Sequence, residues 1–366
     1  MPKTCLHDAL QAGVAEGASD WHIREGSTVG VRVDGNLVEM EFSTSRPFIE
    51  QFIKEILPPN LKTPFDMTGD ADFAFFEEGV GRFRANLHRQ RGMLAIALRH
   101  VKGKVPSREV LGLPPVIQTI AEANHGIVFV TGATGSGKST TLAYMIEHMN
   151  HTMHQHIITI EDPIEYSFHD DRCVIEQREV GIDSISFESA LVHSLRQDPD
   201  VIVVGEMRNR ITFDTALTAA ETGHLVLSTL HTTNASQSII RVLDMFPHSE
   251  REAVRRSLAS TLSAIICQRL VPRAGGKGVI PATEVLLATP IVRKLIVENK
   301  LERLPLAIEA GVEDGMMSFN RSLLGLVNEG QITEQAALDT SNNPEALRMN
   351  LNGIFLNTDS GALIGE

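Results

Sequence analysis

The stretch Gly132-Ala-Thr-Gly-Ser-Gly137-Lys138-Ser139 matches G-x-x-x-x-G-K-[ST] at every fixed position. Its chemistry is anion binding. Glycines let successive backbone N–H groups turn inward as a nest, and the N-terminus of a following helix adds positive potential. Lys138 is placed to reach the β- and γ-phosphates of a nucleotide, and the Ser139 hydroxyl to ligate Mg²⁺. Thr134, Gly135, Ser136 and Thr140 complete the phosphate-binding stretch with Gly132 and Gly137. A turn that merely joined strand to helix would need neither the Lys nor the Ser. The flanks supply the required context, an apolar GIVFVT before the motif and TTLAYMIEHMN after it.

Carboxylates come next. Val201-Ile-Val-Val-Gly205-Glu206 is an apolar strand ending in an acid, the place from which a carboxylate addresses Mg²⁺ or water beside phosphate. Gly205 stands where the commoner Asp-Glu ending would put an Asp, so some carboxylate work falls to another segment. Ile160-Glu161-Asp162-Pro163-Ile164-Glu165 offers acids at the end of a second apolar run. Parallel strands of one sheet end on one side, which directs both groups to the crevice of the phosphate loop. Each of Glu161, Asp162 and Glu165 also has a plainer use at the surface, and Asp162 before Pro can simply shape a turn.

The elements that must position these groups are legible in outline. Continuous apolar runs at Ile127–Thr131, His156–Ile160, Val201–Val204 and Leu225–Thr229 predict strands covered on both faces, as in a parallel sheet. Helices fall between them, one capped by Thr212 and ending at Gly223, another opened by a Ser249/Glu252 capping box. Beyond Pro272 the chain reads as mostly helical, with starts at Thr289-Pro290, Ser318 and Thr333. Residues 1–100 form a smaller α/β module: a first helix, then strand-like runs at Val29–Val33, Phe73–Phe76, Gly81–Leu87 and Met93–Arg99, with a hairpin turn at Asp34-Gly35. We therefore expect an N-terminal domain over 1–100, a Lys/Gly/Pro-rich linker over 101–115, an α/β nucleotide-binding core over 116–272, a helical extension over 273–346 and a loose tail over 347–366.

Composition narrows the function class. The chain has 366 residues, 42% hydrophobic and 22% charged, enough for two domains with buried cores. A formal net charge of −13 argues against a protein that coats nucleic acid. Cys5, Cys173 and Cys267 lie far apart without metal-ligand spacing, which fits reduced thiols. The opening MPKTCLHDALQAGVAEG has neither an apolar h-region nor a small-residue cleavage site, so no secretory signal is expected. The longest apolar runs are strand-sized, short of the roughly 18 residues that span a bilayer. Any membrane connection is expected through partner proteins.

The order of motifs resembles the secretion-type ATPases that drive type IV pili and type II secretion. It runs GATGSGKST, ITIEDPIEY, SLRQDPDVIVVGEMR, ETGHLVLSTLHTTNA, and the likeness extends from about Ser19 to about residue 350. The chain lacks the long extra N-terminal domain and four-cysteine insert of many extension and secretion ATPases, and so resembles the compact retraction subtype. That subtype's A-I-R-N-L-I-R-E segment corresponds to Ile291–Glu298, with departures at Lys294 and Val297. Its Asp-Leu-Glu-Thr is Asn209-Arg210-Ile211-Thr212 here.

The resemblance implies a RecA-like P-loop core, a PAS-like N-terminal domain and a helical C-terminal extension. It implies hydrolysis of ATP with Mg²⁺, the metal held by Ser139 and Glu206. Glu206 matches the family's catalytic glutamate and Glu165 its acidic-box partner. His224 and His231 match its histidine box, and Arg84 and Arg99 its pair of N-domain arginines. Arg82 is a weaker candidate and Arg196, just before the Asp198-Pro199 turn, a further one, while Arg89 and Arg91 read as surface turn residues. A cation supplied late to a loose phosphoryl-transfer transition state stabilises its spread charge. The implied assembly is a homo-oligomer, a hexameric ring on the cytoplasmic face of the inner membrane. There it would meet a pilus platform protein and a paralogous retraction ATPase. Competing readings are an extension or secretion ATPase of the same fold, an accessory subunit that binds ATP but hardly hydrolyses it, and a nucleic-acid translocase, which the acidic balance disfavours.

Overall fold

The structure is a computed structural model that describes residues 5–33 and 35–354. Its contacts divide the chain into two compact units, Met1–Lys104 with Ile164–Phe168, and Val105–Pro163 with His169–Glu366.

The first unit contains α1 (Cys5–Ala15), β1 (Ala18–Arg24), β2 (Ser27–Val33), β3 (Asn36–Thr44), α2 (Arg46–Ile56), α3 (Lys62–Thr68), β4 (Asp70–Glu77), β5 (Gly81–Gln90) and β6 (Met93–His100). Its strands form one antiparallel sheet in the order β3-β2-β1-β6-β5-β4. Alternation explains the layering. Phe83, Ala85 and Leu87 of β5 are buried, as are Trp21 and Ile23 of β1 and Val29 and Val31 of β2. Between them in sequence, Arg84, Asn86, Asp20 and Arg32 take the other face. Helix α1 lays Leu6, Ala9 and Leu10 on the core face, and Trp21 Nε1–H donates to the Ala9 carbonyl at 3.2 Å. The expected hairpin is present between β2 and β3, with Val33 opposite Asn36 and Gly35 at φ +81; Asp34 itself lies outside the described residues. Sequence reading missed β1, β3, α2 and α3. Helix α2 buries Ile49, Phe52 and Ile53, an i, i+3, i+4 stripe set among charged residues. The segment Ile164–Phe168 joins this unit through Lys102, whose carbonyl accepts the Ser167 N–H at 3.0 Å and whose ammonium lies 5.6 Å from the Tyr166 ring centroid.

The second unit runs α4 (Arg108–Leu111), α5 (Val116–Ala121), β7 (Gly126–Thr131), α6 (Lys138–Thr152), β8 (His156–Glu161), β9 (Val174–Glu179), α7 (Phe187–Ser194), β10 (Val201–Val204), α8 (Arg210–Glu221), β11 (Leu225–Leu230), α9 (Ala235–Asp244), α10 (Arg251–Thr261), β12 (Leu262–Pro272), β13 (Val279–Leu287), α11 (Pro290–Val297), α12 (Leu304–Ala310), α13 (Phe319–Asn328), α14 (Glu334–Thr340) and α15 (Pro344–Leu351). Its sheet has the order β13-β12-β7-β11-β10-β8-β9, parallel throughout except for β13 against β12. Every residue of β7, β10 and β11 is buried, as expected for strands with helices on both faces.

Several local expectations change. The N-cap of α8 is Asn209, whose side chain accepts the Thr212 N–H, so Thr212 stands in the first turn rather than at the cap. Helix α10 begins after Glu250 without a side-chain cap, and the Ser249/Glu252 box does not form. The region after Pro272 opens with the strand β13 before turning helical. Thr289, Ser318 and Thr333 do cap α11, α13 and α14. Helix α15 carries regular structure to Leu351 with Leu347 buried, so the loose tail cannot begin at 347; residues 355–366 lie outside the described part. Cys173 and Cys267 are free and buried.

One contact in the first unit yields a test of the packing. A Cβ on Gly13 would fall 2.6 Å from Cζ2 and 2.8 Å from Cε2 of Trp21, a fully buried ring that cannot retreat. Gly13→Ala should therefore destabilise by about 1–3 kcal/mol through overpacking, although helix propensity alone would favour Ala by about 1 kcal/mol. Denaturant unfolding of the full chain checks this; a variant as stable as the parent contradicts the close approach of α1 to the sheet.

Candidate functional site

The phosphate loop leaves β7 at Thr131 and enters α6 at Lys138. Gly132, Gly135 and Gly137 hold φ of +151, +80 and +91, values that a side chain strains. Two of them are also needed for space. A Cβ on Gly132 would come within 2.5 Å of the Gln268 carbonyl oxygen, and one on Gly137 within 2.7 Å of Gln268 Nε2. Gln268, on β12, is thus a wall of the cradle, and it accepts the Thr141 hydroxyl of α6 at 2.7 Å. Sequence reading missed Gln268; its signal was a polar side chain inside an apolar strand. Lys138 is buried, and its ammonium donates to the carbonyls of Gly132 and Ala133, each at 3.0 Å. Thr134 and Gly135 are exposed at the loop's tip, and Ser139 and Thr140 are half-buried in the first turn of α6. The Ser136 hydroxyl is buried with no hydrogen-bond partner among the described residues, a donor and acceptor facing a nest of positive-φ glycines. That combination fits a polyphosphate.

Glu206 follows β10 beside the same sheet edge. One carboxylate oxygen pairs with Arg208, and the other lies 3.9 Å from His231 Nε2 at the end of β11. His231 is exposed while Glu206 is largely covered, so the imidazole forms the outer member of the pair. The Gly205 that replaces an Asp is explained by crowding: a Cβ there would meet the Ile160 carbonyl at 3.2 Å and Glu161 Cα at 3.5 Å. Gly205 N–H donates to Ile160 O at 2.8 Å, and the Thr229 hydroxyl to Gly205 O at 2.7 Å, which pins the turn carrying Glu206.

The acidic segment divides. Glu161 ends β8 and accepts from Thr159 Oγ1 at 2.6 Å and Gln177 Nε2 at 3.1 Å. Asp162-Pro163 is a cis peptide bond. Glu165 is exposed and belongs to the segment that clusters with the first unit. Two candidates are displaced. His224 precedes β11 and so lies at the opposite end of the strand from His231. Its Nδ1 is 2.9 Å from the Ala219 carbonyl, so it serves the end of α8. Arg196 lies in the turn before β10, likewise at the edge away from the phosphate loop.

In the first unit, Arg84 and Arg99 stand directly opposite each other on β5 and β6. Asp20 is level with Arg99 on β1, and Arg32 with Asp20 on β2. The row Arg32–Asp20–Arg99–Arg84 crosses the outer face with three cations for one anion. Arg99 Nε donates to Asp20 Oδ1 at 2.7 Å, and Ser19 Oγ to Oδ2 at 2.7 Å. Arg82 lies one step along the same face of β5. Arg91 is a left-handed turn residue at φ +52, whereas Arg89 is within β5 and stacks over Phe65, 5.1 Å from the ring centroid.

The helix corresponding to the A-I-R-N-L-I-R-E segment is α11. Val292, Leu295 and Ile296 are buried, and Arg293 donates to the carbonyls of Ala259, Ser260, Leu262 and Ala288. It thereby closes the C-terminal end of α10. Lys294 and Val297, the two departures that change charge, are exposed.

A family model described as "Type II/IV secretion system protein" matches residues 114–301. The chain is 40% identical over 341 residues to the "Type IV pilus retractation ATPase PilT" of Pseudomonas aeruginosa, covering 93% of this chain and 99% of that protein. It is 38% identical over 344 residues to the "Type IV pilus ATPase PilU" of the same organism, covering 93% and 89%. A solved structure described as "Crystal Structure of the Pilus Retraction Motor PilT and Bound ADP" matches with a TM-score of 0.85 and 41% identity, over 94% of this chain and 98% of that one.

The arginine row makes a titration prediction. Burial pushes the Asp20 carboxyl up, but the hydrogen bonds from Ser19 and Arg99, with the nearby guanidinium charge, more than reverse it and leave the group below its ordinary 3.8. A depressed carboxylate contributes stability that is present above 3.8 and is lost as pH falls through the folded value. Arg99→Ala should raise the Asp20 pKa, read by NMR titration of the side-chain carboxyl, and should make the variant's stability less sensitive to acid. An unmoved Asp20 resonance would show that Arg99 is engaged elsewhere.

Proposed function

The chain belongs to the type II/IV secretion system protein family, and from that premise we propose that it is a ring motor hydrolysing ATP to power retraction of a type IV pilus. The observation that carries the reading is the meeting of the glycine cradle and Lys138 with the Glu206–His231 pair along one sheet edge. Lys138 is the cation for the β- and γ-phosphates, held ready by the loop carbonyls it would exchange for phosphate oxygens.

Ser139 and Glu206 are the oxygen donors suited to Mg²⁺, a hard cation that takes few protein ligands beside phosphate. When bound, the metal would neutralise charge on the β- and γ-oxygens. Glu206 orients the attacking water, and His231 at its outer oxygen reports whether the terminal phosphate is in place. Glu165 supports the same centre as its acidic-box partner. Arg84 and Arg99, adjacent and in cationic excess, supply positive charge to the transferred phosphoryl group. If these arginines act on the nucleotide held by Lys138, motion of the domain that carries them would gate hydrolysis. The working assembly is a hexameric ring on the cytoplasmic side of the inner membrane, engaged with a platform protein. Among the described residues no helix is long and apolar enough to cross a membrane, which fits attachment through partners.

A second reading is an accessory retraction subunit that binds ATP and hardly hydrolyses it; the chain is nearly as similar to a second type IV pilus ATPase, PilU, as to PilT. ATP turnover of the isolated protein separates the two: a motor turns over alone, an accessory only with its paralogue. Added DNA should leave turnover unchanged; stimulation by DNA would point to a translocase.

Lys138→Ala should abolish turnover while the protein stays folded, and a variant within about threefold of the parent would defeat the phosphate-loop assignment. Glu206→Gln should retain ATP binding and lose most of kcat, because the amide keeps the shape and removes the charge. Arg84→Ala and Arg99→Ala should each lower turnover by more than about tenfold. In a host lacking its retraction ATPase, the parent chain should restore twitching and reduce surface fibres, and Lys138→Ala should not.

A further inference from the structure

Four residues, His231 to Asn234, join β11 to α9, and all but the histidine are fastened into the helix that follows. Thr232 is buried, its hydroxyl 2.6 Å from Ser238 Oγ, which also donates to Asn234 O at 2.9 Å. Thr233 Oγ1 donates to Gln237 Oε1 at 2.7 Å, and Asn234 Oδ1 accepts the Gln237 N–H at 2.9 Å. The loop can therefore be no better placed than the first turn of α9.

That turn is tied down by a residue 49 positions away. The first amide of α9, Ala235 N–H, donates to Glu284 Oε1 of β13 at 2.8 Å. Helix starts leave several amides without helical partners; Asn234 takes one and Glu284 takes another. Glu284 stands level with Cys267 on β12, and Cys267 with Thr131, the last residue of β7 before the phosphate loop. Cys267 Sγ lies among the side chains of Glu284, Thr131 and Ser238. Burial pushes the Glu284 carboxyl up, against the hydrogen bonds from Ala235 and Cys267 and the charge of Arg269. An acid is an expensive choice at this strand position unless its acceptor is used.

We propose that Glu284 is a positioning residue for hydrolysis: by accepting the first amide of α9 it sets the His231–Asn234 loop so that the imidazole meets the Glu206 carboxylate. Glu284 touches neither nucleotide nor reacting atoms and acts only through His231. The proposal rests on the reading above that His231 takes part in turnover.

The test uses the full-length assembled protein. Glu284→Leu removes the acceptor at similar volume and should lower kcat by about tenfold while KM for ATP and the stoichiometry of bound ADP stay unchanged. The His231 ring resonance should shift in that variant. Glu284→Gln keeps an acceptor oxygen and should restore both kcat and the resonance. Should the Leu variant fail to fold, Glu284→Asp draws the acceptor back by one methylene and should give the same split with the same resonance shift. Unchanged kcat with an unmoved resonance in the folded variant overturns the proposal, as does a parallel loss of kcat and nucleotide stoichiometry, the mark of a merely structural residue. His231→Ala separates the two layers. If it is silent, the reading of His231 fails; if it cripples turnover while the Glu284 variants do not, only the present inference fails.

Discussion

The parallel ladder through β7, β11, β10 and β8 governs every distance at the phosphate end of the sheet. Leu230 is level with Thr131, so His231 and Gly132 leave the sheet side by side. Val204 is level with Ser228, which puts Glu206 beside Leu230 and within reach of the histidine that follows it. Val204 is also level with Ile160, so the crowding that selects Gly205 and the carboxylate of Glu161 arise at the next step. A slip of one residue in any pairing would turn the side chains of that strand to the opposite face and separate the pair. The continuous apolar character of these strands, and the helices over both faces, hold that register.

Strand β12 extends the argument sideways. Its successive residues face opposite ways, Gln268 toward the phosphate loop and α6, Cys267 toward α9. One strand therefore touches both the cradle and the element that carries the histidine loop. The glycines of the motif answer to this neighbour as well as to phosphate, since Gly132 and Gly137 each lie against Gln268.

What could be read from the chain beforehand was whatever is local in sequence. The phosphate loop, its flanking strand and helix, and the acid at the end of β10 are each encoded within a dozen residues, and all stand where expected. The two histidines show the limit. They differ by seven positions and share a motif, yet a six-residue strand lies between them and sets them about 20 Å apart. The cap of α8 was misplaced for a similar reason: Thr212 and Asn209 are both good cap residues, and only the backbone decides which stands outside the helix. Strand β13 was hidden because its antiparallel partner is needed to make it a strand. Glu284 and Gln268 do their work through contacts across the sheet, and no local pattern announces them.

Helix α11 separates fastening from display. Arg293 and the buried Leu295 and Ile296 agree with the segment it resembles and hold the helix to the end of α10. The two departures that change charge are on the outside, where the resembled segment has Asn and then Arg, and this chain has Lys294 and then Val297. A cation is gained at the first position and lost at the second, three residues further on. The helix therefore presents the same net charge to its surroundings, moved by nearly one turn, or about 4.5 Å along the axis. The positive charge of this exposed face is displaced along the helix rather than removed, in the way a key keeps its material and shifts one notch.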